Sequence, residues 1–373
     1  MQASRRIMSS ELIYMDANAT EPLRPAARGA ALEAMALANP SSIHQAGRMA
    51  RACLEDSREA VARYFAADPA DVVFTSGATE ANALAITALG AGRALLVGAT
   101  EHDAIRAAAP KAEVIPVLGS GVVDLSALEA LLARNPGALV CLMAANNETG
   151  VLHPIGEVGA LCAAHGAALH VDAVQAATRA LEDWLGLGAA SIAISGHKIG
   201  GPMGAGALIT APGHVITPVL RGGGQERGRR GGTPALPAIA GMAAALAEPY
   251  DDGRIGSYRD EIEAFCVGVG AVSLGGGAPR LANTLCLALP GVKAETQLIA
   301  LDLAGYAVSA GAACSSGKAA ASHVLTAMGA GPLAGHSIRV SLPWNFDAAA
   351  IAGFCRAYQA MAQRALHGQR HCA

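Results

Sequence analysis

Apolar residues in this chain fall into short unbroken runs, separated by longer stretches in which they recur every three or four positions. The runs have strand length: DVVFTS (71–76), ALLVGA (94–99), ALVCLMAA (138–145), AALHVD (167–172), SIAIS (191–195) and GALIT (206–210). Between them, stretches such as LSALEALLARN (125–135) and PIGEVGALCAAHG (154–166) carry helical spacing. Strands apolar on both faces that alternate with helices predict an α/β fold: a mostly parallel sheet covered on both sides, with ligands at the carboxyl ends of its strands.

Past residue 245 the pattern changes. YDDGRIGSYRDEIEAF (250–265) is polar and charged, and NTLCLALPG (283–291), YAVSAGAAC (306–314) and SIRVSLP (337–343) read as strands of a separate, smaller layer. A boundary near 250 divides the chain into a large domain over 14–250 and a small C-terminal α+β domain over 251–373, which residues 1–13 join.

Composition narrows the functions. Of 373 residues, 52% are hydrophobic and only 3% aromatic, so a large core must be built mostly from Ala, Leu, Val and Ile. A net charge of −3 provides no field for nucleic acid or an anionic membrane. The arginine–glycine tract RGGGQERGRRGG (221–232) is short and solitary, and reads as a structured loop near a ligand or subunit interface. No apolar run reaches the ~18 residues a membrane helix needs. Eight cysteines without a Cys-x-x-Cys pair, and no leader-like N-terminal segment, predict a reduced cytoplasmic chain.

Polar groups gather after the strands: Gly77-Ala78-Thr79, Glu101-His102, Asn146-Asn147-Glu148, Asp172 with Gln175, and Ser195-Gly196-His197-Lys198. Singly, each has an ordinary reading as a turn, a cap or a partly buried histidine; together they bring five strands' functional groups to one edge. A lysine amine withdrawn from water at such an edge becomes a nucleophile toward an aldehyde, which is Schiff-base chemistry. Pyridoxal phosphate (PLP) also needs a carboxylate for its ring nitrogen, a ring to stack on, a donor for its phenolic oxygen and a phosphate cradle. Asp172, His102 and Gln175 supply the first three. SGATEANALAI (76–86) reads as a strand, turn and helix whose first N–H groups and Thr79 hydroxyl form an anion site, joined by Ser195 and His197. The competing reading of the same stretch is a helix capped by Thr79. A metal centre at His170, Asp172 and His102 lacks the usual ligand spacing, and no G-x-G-x-x-G follows the first strand as a dinucleotide-binding fold requires.

The segments DANAT (16–20), NPSSIHQAGR (39–48), FTSGATEANALAI (74–86), TEHDAI (100–105), NNETG (146–150), HVDAVQ (170–175), SGHKIGGPMGAGAL (195–208), GGGQERGRRGGT (222–233), SAGAACSSGK (309–318) and SIRVSL (337–342) resemble, in order, the cysteine desulfurases. These are fold-type I, class V aminotransferase-like PLP enzymes of iron–sulfur cluster assembly. The resemblance implies a seven-stranded, mostly parallel sheet and a PLP-dependent conversion of L-cysteine to L-alanine. It implies that Lys198 holds PLP, that Asp172 and Gln175 contact its ring, and that His102 stacks on it and moves protons. Ala78, Thr79, Ser195 and His197 would bind the phosphate, with Thr233 reaching the partner subunit's phosphate in a homodimer. Asn147 would sit near the phenolic oxygen and the substrate, and Arg339 would clamp the substrate carboxylate. Cys314, in a run of small residues that predicts a mobile loop, would take the sulfur as a persulfide and pass it to an acceptor or iron–sulfur scaffold protein. The other cysteines read as small buried hydrophobes.

Three positions depart from the usual pattern: Ala312 in place of Ser, Pro-Ala after Thr233, and Glu21 in place of a second Thr. Two neighbouring readings are a selenocysteine lyase and another class V PLP aminotransferase. A third, of a different class, is a non-catalytic sulfur-relay scaffold, against which the set of Lys198, Asp172, His102, Arg339 and Cys314 weighs.

Overall fold

The computed structural model describes residues 12–311 and 321–370. Cys314, Ala312 and Cys372 lie outside the described residues.

The expected sheet is present, with seven strands. From edge to edge the order is Val72–Thr75, Gly206–Thr210, Ser191–Ser195, Ala168–Asp172, Leu139–Met143, Leu95–Gly98 and Glu113–Ile115. Only Gly206–Thr210 runs antiparallel to its neighbours. Successive side chains of a strand point to opposite faces, and here both faces are dry. Val72 and Phe74 pack into one core and Val73 into the other; Val140 and Leu142 oppose Leu139 and Cys141; Ile192 and Ile194 oppose Ala193. Burial on both faces is why these strands read as unbroken apolar runs. The strand Glu113–Ile115 escapes that reading because it is an edge strand with two of its three residues exposed.

The smaller domain carries a four-stranded antiparallel sheet, ordered Ser309–Ala310, Ser337–Ser341, Thr284–Ala288 and Val272–Ser273. The polar stretch 250–265 begins a helix, Asp252–Gly268, whose first turn is capped by the Asp251 carboxylate accepting from Arg254 N. It buries only Ile255, Ile262 and Cys266, a stripe too thin to show as an apolar pattern. With Leu285, Leu287, Ile338, Val340 and the helix Ile351–Arg370 it forms a second core.

The segment after residue 12 crosses to this second core. Ile13–Tyr14 pairs in parallel with Tyr306–Ala307, Met15 is fully buried in the second core, and Asp16 bridges Ser341. Asn18 and Glu21 are thereby carried to the junction of the two cores. Among the described residues, no helix is long and apolar enough to cross a membrane.

Candidate active site at the carboxyl edge of the sheet

A cleft of about 680 Å³ opens at the carboxyl ends of the parallel strands, a size suited to a small cofactor with its substrate. Ala78, Thr79, His102, Asn147, Asp172, Gln175, Ser195, His197, Lys198 and Arg339 all line it. Thr233 does not: it sits beside Ser76 and Gly204 in a separate small cavity.

Asp172 ends its strand with a buried carboxylate. Oδ2 accepts from Asn82 Nδ2 at 2.7 Å and Oδ1 from Val174 N at 3.1 Å. Burial pushes the carboxyl's pKa up, while those N–H donors and the nearby His102 and Lys198 hold it down. Asn82 Oδ1 faces His170 Nε2 at 2.9 Å, and His170 Nδ1 faces the Ser191 hydroxyl at 2.7 Å. Because Asn82 turns its amide N–H toward the carboxylate, its oxygen must accept from His170, whose Nε2 therefore carries the proton. Burial lowers the His170 imidazole to about 4, so the ring is neutral. Both its nitrogens are occupied, which removes the metal reading; among the described residues no cluster of metal-ligating side chains is found.

Lys198 follows the strand Ser191–Ser195 in a single 3-10 turn, and its Nζ donates to the carbonyls of Asn18 at 2.6 Å and Ala19 at 3.0 Å. Gln175 Nε2 donates to the same Asn18 carbonyl at 3.0 Å. The Asn18 side chain also joins Asn147 O, Thr284 Oγ1 and Asn283 Nδ2. Arg339 donates to Asn147 O at 3.0 Å and to Asp16 Oδ1 at 2.7 Å, and its buried Nε has no partner. His102 accepts from Ala104 N at 3.1 Å through Nδ1, which leaves its proton on Nε2.

The helix Ala78–Leu89 starts at the cleft. Gly77 is its N-cap, with no side chain capping it, and Thr79 lies inside the first turn. Thr79 is therefore not a cap, and the reading of this stretch as an ordinary capped helix fails. What remains is a helix N-terminus facing a cavity, with the Ser195 hydroxyl close to Gly77. The turn packs so closely on Gly206 that a Cβ there would lie 2.6 Å from the Gly77 carbonyl carbon. His197 faces Thr20 Oγ1 through Nδ1 at 3.1 Å. The Thr20 hydroxyl donates to Ala19 O at 2.7 Å, so His197 Nδ1 is the donor and Nε2 bears a lone pair. Burial and Lys198 lower this imidazole to about 4, and an anion bound in the cleft it lines would oppose that shift.

Two further acids lie beneath the cleft. Glu101 is fully buried; Oε1 accepts from Met143 N at 2.8 Å, Oε2 has no partner, and burial raises its pKa well above the usual carboxyl range. Glu148 accepts from Ser322 Oγ at 2.6 Å and lies against the backbone of Gly311; burial raises its pKa as well. The six described cysteines, Cys53, Cys141, Cys162, Cys266, Cys286 and Cys355, are unpaired, and burial pushes every thiol up, Cys162 to about 12.

Asp16, Asn18 and Asn82 belong to this site but have no role in the sequence reading, and His170, weighed there only as a metal ligand, instead orients Asn82. Only the position of Asp16 and Asn18 in DANAT, and of His170 two residues before Asp172 on the same strand face, could have pointed to them.

The model of the family described as aminotransferase class-V matches residues 13–353. A cysteine desulfurase of Cereibacter sphaeroides is 39% identical, over 91% of this chain and 93% of that one. An IscS-like cysteine desulfurase of Mycobacterium tuberculosis is 35% identical, over 89% and 91%. A NifS-like protein from Rickettsia africae superposes with a TM-score of 0.88 at 34% identity, covering 95% of this chain and all of that one.

Proposed function

The chain belongs to the class-V aminotransferases and, within them, to the cysteine desulfurases, and from that premise we propose that its cleft holds pyridoxal 5'-phosphate and that Cys314 takes sulfur from L-cysteine as a persulfide. The observation that carries this reading is the convergence on one cleft of a lysine amine, a buried carboxylate held by Asn82, an imidazole with its proton on Nε2, and an uncapped helix N-terminus. That donor set fits the cofactor. Lys198 would hold it, Asp172 would pair with its ring nitrogen, His102 would cover its face, and Gln175 and Asn147 would stand near its phenolic oxygen. The turn at Gly77, with Ala78, Thr79 and Ser195, would hold its phosphate. His197, which lines the same cleft, would join them at the phosphate, whereas Thr233 lies outside the cleft and suits the partner subunit's phosphate in a homodimer.

When bound, PLP supplies an electron sink for the substrate's α-carbon. The protein's own groups do the rest. Arg339, whose buried Nε has no partner, binds the substrate carboxylate and fixes the amino acid's orientation. Lys198 and His102 carry protons to and from the carbon skeleton. Cys314 attacks the substrate sulfur: an S–S bond forms as the C–S bond breaks, and the electron pair left on carbon takes up a proton, so alanine leaves. Burial disfavours the thiolate of every described cysteine, which supports assigning the nucleophile to Cys314. A cytoplasmic location and an iron–sulfur scaffold or other acceptor protein as the next sulfur carrier complete the reading.

The test is incubation of the purified protein with PLP and L-cysteine. A visible absorption band that Lys198→Ala abolishes, alanine release, and a persulfide mapped by mass to Cys314 are expected. Cys314→Ser should keep the band and release no alanine at the wild-type rate. A colourless protein that never binds PLP would refute the cofactor, and full alanine release by Cys314→Ser would refute the nucleophile. A faster reaction with selenocysteine would identify a lyase instead.

A further inference from the structure

Glu21, one of the three departures noted in the sequence, is buried next to Thr20, which lines the cleft, and ion-paired with Arg179; both side chains are 1% exposed. Arg179 lies four residues beyond Gln175 in the turns that follow the strand Ala168–Asp172. Its Nη1 donates to Gln175 Oε1 at 2.8 Å and to Asn18 Oδ1 at 3.2 Å, and its Nη2 donates to Glu21 and to the Lys198 carbonyl at 3.3 Å. The second Glu21 oxygen accepts from Trp344 N at 2.8 Å. The guanidinium also faces the Tyr250 ring at 5.8 Å.

A glutamine amide has two ends of similar shape and opposite hydrogen-bonding character. Arginine offers only donors, so Gln175 must turn Oε1 toward Arg179 and Nε2 away from it. One Nε2–H then reaches the Asn18 carbonyl, and the second points along the wall of the cleft that Gln175 lines. We propose that the Glu21–Arg179 pair is a positioning device, which fixes the Gln175 amide so that the cleft always receives a donor opposite the cofactor's phenolic oxygen. The inference rests on the PLP reading above. Glu21 holds the guanidinium in plane, and the fork shape lets one side chain bond Gln175, Asn18 and the Lys198 backbone together. The same residue thus ties the amide's orientation to the strand end that carries the lysine.

A donor on the phenolic oxygen favours its anion and so eases loss of the neighbouring proton. Arg179→Lys keeps the charge against Glu21 but, as a compact ammonium without the planar fork, does not bond Gln175 Oε1 and Asn18 Oδ1 as well, leaving the amide held by the Asn18 carbonyl alone. In the holoenzyme, the midpoint of the pH titration of the visible band should rise by ~0.5 unit or more. In a Gln175→Leu background the same substitution should produce no further shift, because its effect passes through that amide. The double variant Glu21→Gln/Arg179→Met, which leaves no lone buried charge, should reproduce the rise if Arg179→Lys does not fold. A band that is present but does not move in Arg179→Lys or the double variant, or an equal shift with and without Gln175, overturns this inference alone. A wild type without any band overturns the PLP reading and this inference with it.

Discussion

Among single residues, Glu101 shows how firmly burial decides a charge state. Its carboxyl is enclosed, has one unpartnered oxygen, and lies near Asp172, whose charge also raises its pKa. The folded protein therefore keeps the proton at a pH where the unfolded chain releases it. Stability from this group is complete below the unfolded value and falls as pH rises toward the folded one. Glu101→Gln retains an acceptor for Met143 N and removes the titration. The variant should gain on the wild type by about 1.4 kcal/mol per pH unit above the ordinary carboxyl range, up to the folded pKa. Urea denaturation of the two proteins at pH 5, 6 and 7 measures this, and parallel curves would refute it. Lys198, Asp172 and His102 were legible because a charged or basic group directly follows an apolar run. Asn18 and Asn82 were not, and His170 was read only as a metal ligand, because a neutral buried hydrogen-bonding residue shows its role only once its partners, 88 residues apart for Asn82 and His170, are in place.

Elements extend the argument from groups to the backbone that aims them. The helix Ala78–Leu89 faces the cleft only because its first turn rests directly on Gly206, where a Cβ would meet Gly77 backbone atoms at 2.6 and 2.7 Å and the Ile194 carbonyl at 2.7 Å. Neither neighbour is a flexible side chain that could yield. Gly206→Ala should cost about 1–3 kcal/mol through backbone displacement. It should also raise the PLP dissociation constant tenfold or more, read by cofactor titration beside a thermal melt; unchanged binding would refute the placing of the phosphate at this turn. The loop after Gly222 is fixed differently. Glu226 and Arg227 adopt left-handed φ values of 49° and 57°, and the Glu226 carboxylate is held by Arg58 at 2.7 and 2.8 Å and by Phe74 N at 2.9 Å. Unfavourable backbone geometry there persists because a buried double hydrogen bond over-determines it. The tract is thus a structured loop, as its short, solitary run suggested. The apolar strands were legible for the same reason that they are buried on both faces, whereas the edge strand Glu113–Ile115 and the helix Asp252–Gly268 were missed because each buries too few residues to leave a period.

At the scale of the whole molecule, two cores meet across a polar seam made by Asp16, Asn18, Glu21, Arg179, Asn283 and Arg339. Two sets of buried groups also oppose each other in their response to acid. His153, His170 and His197 are lowered to about 4, so they withdraw stability as pH falls below about 6.5, while Glu101, Glu148 and Asp172 are raised and return some of it. Single variants should expose the slopes that cancel in the wild type. His153 accepts from Val123 N and has no other partner. His153→Leu should be the less stable protein at pH 7 by about 1–3 kcal/mol, and should recover about 2 kcal/mol of that difference at pH 5; a constant difference would refute the neutral buried imidazole. The division into a large sheet and a smaller layer was visible as a change of pattern, but the seam was not, since its members are scattered from residue 16 to 339 and each is polar for a reason supplied by another. That scatter orders events during synthesis. Asn18 N bonds the Ser341 hydroxyl across 323 residues, and Ile13–Tyr14 pairs with Tyr306–Ala307. At ribosomal speeds of ~5–20 residues per second, the wall of the cleft that emerges first waits roughly 15–65 s for the strand that completes it. Under the proposed function, cofactor capture would therefore be a late, essentially post-translational event, and a nascent chain stalled before residue 337 should have its large sheet and no competent pocket.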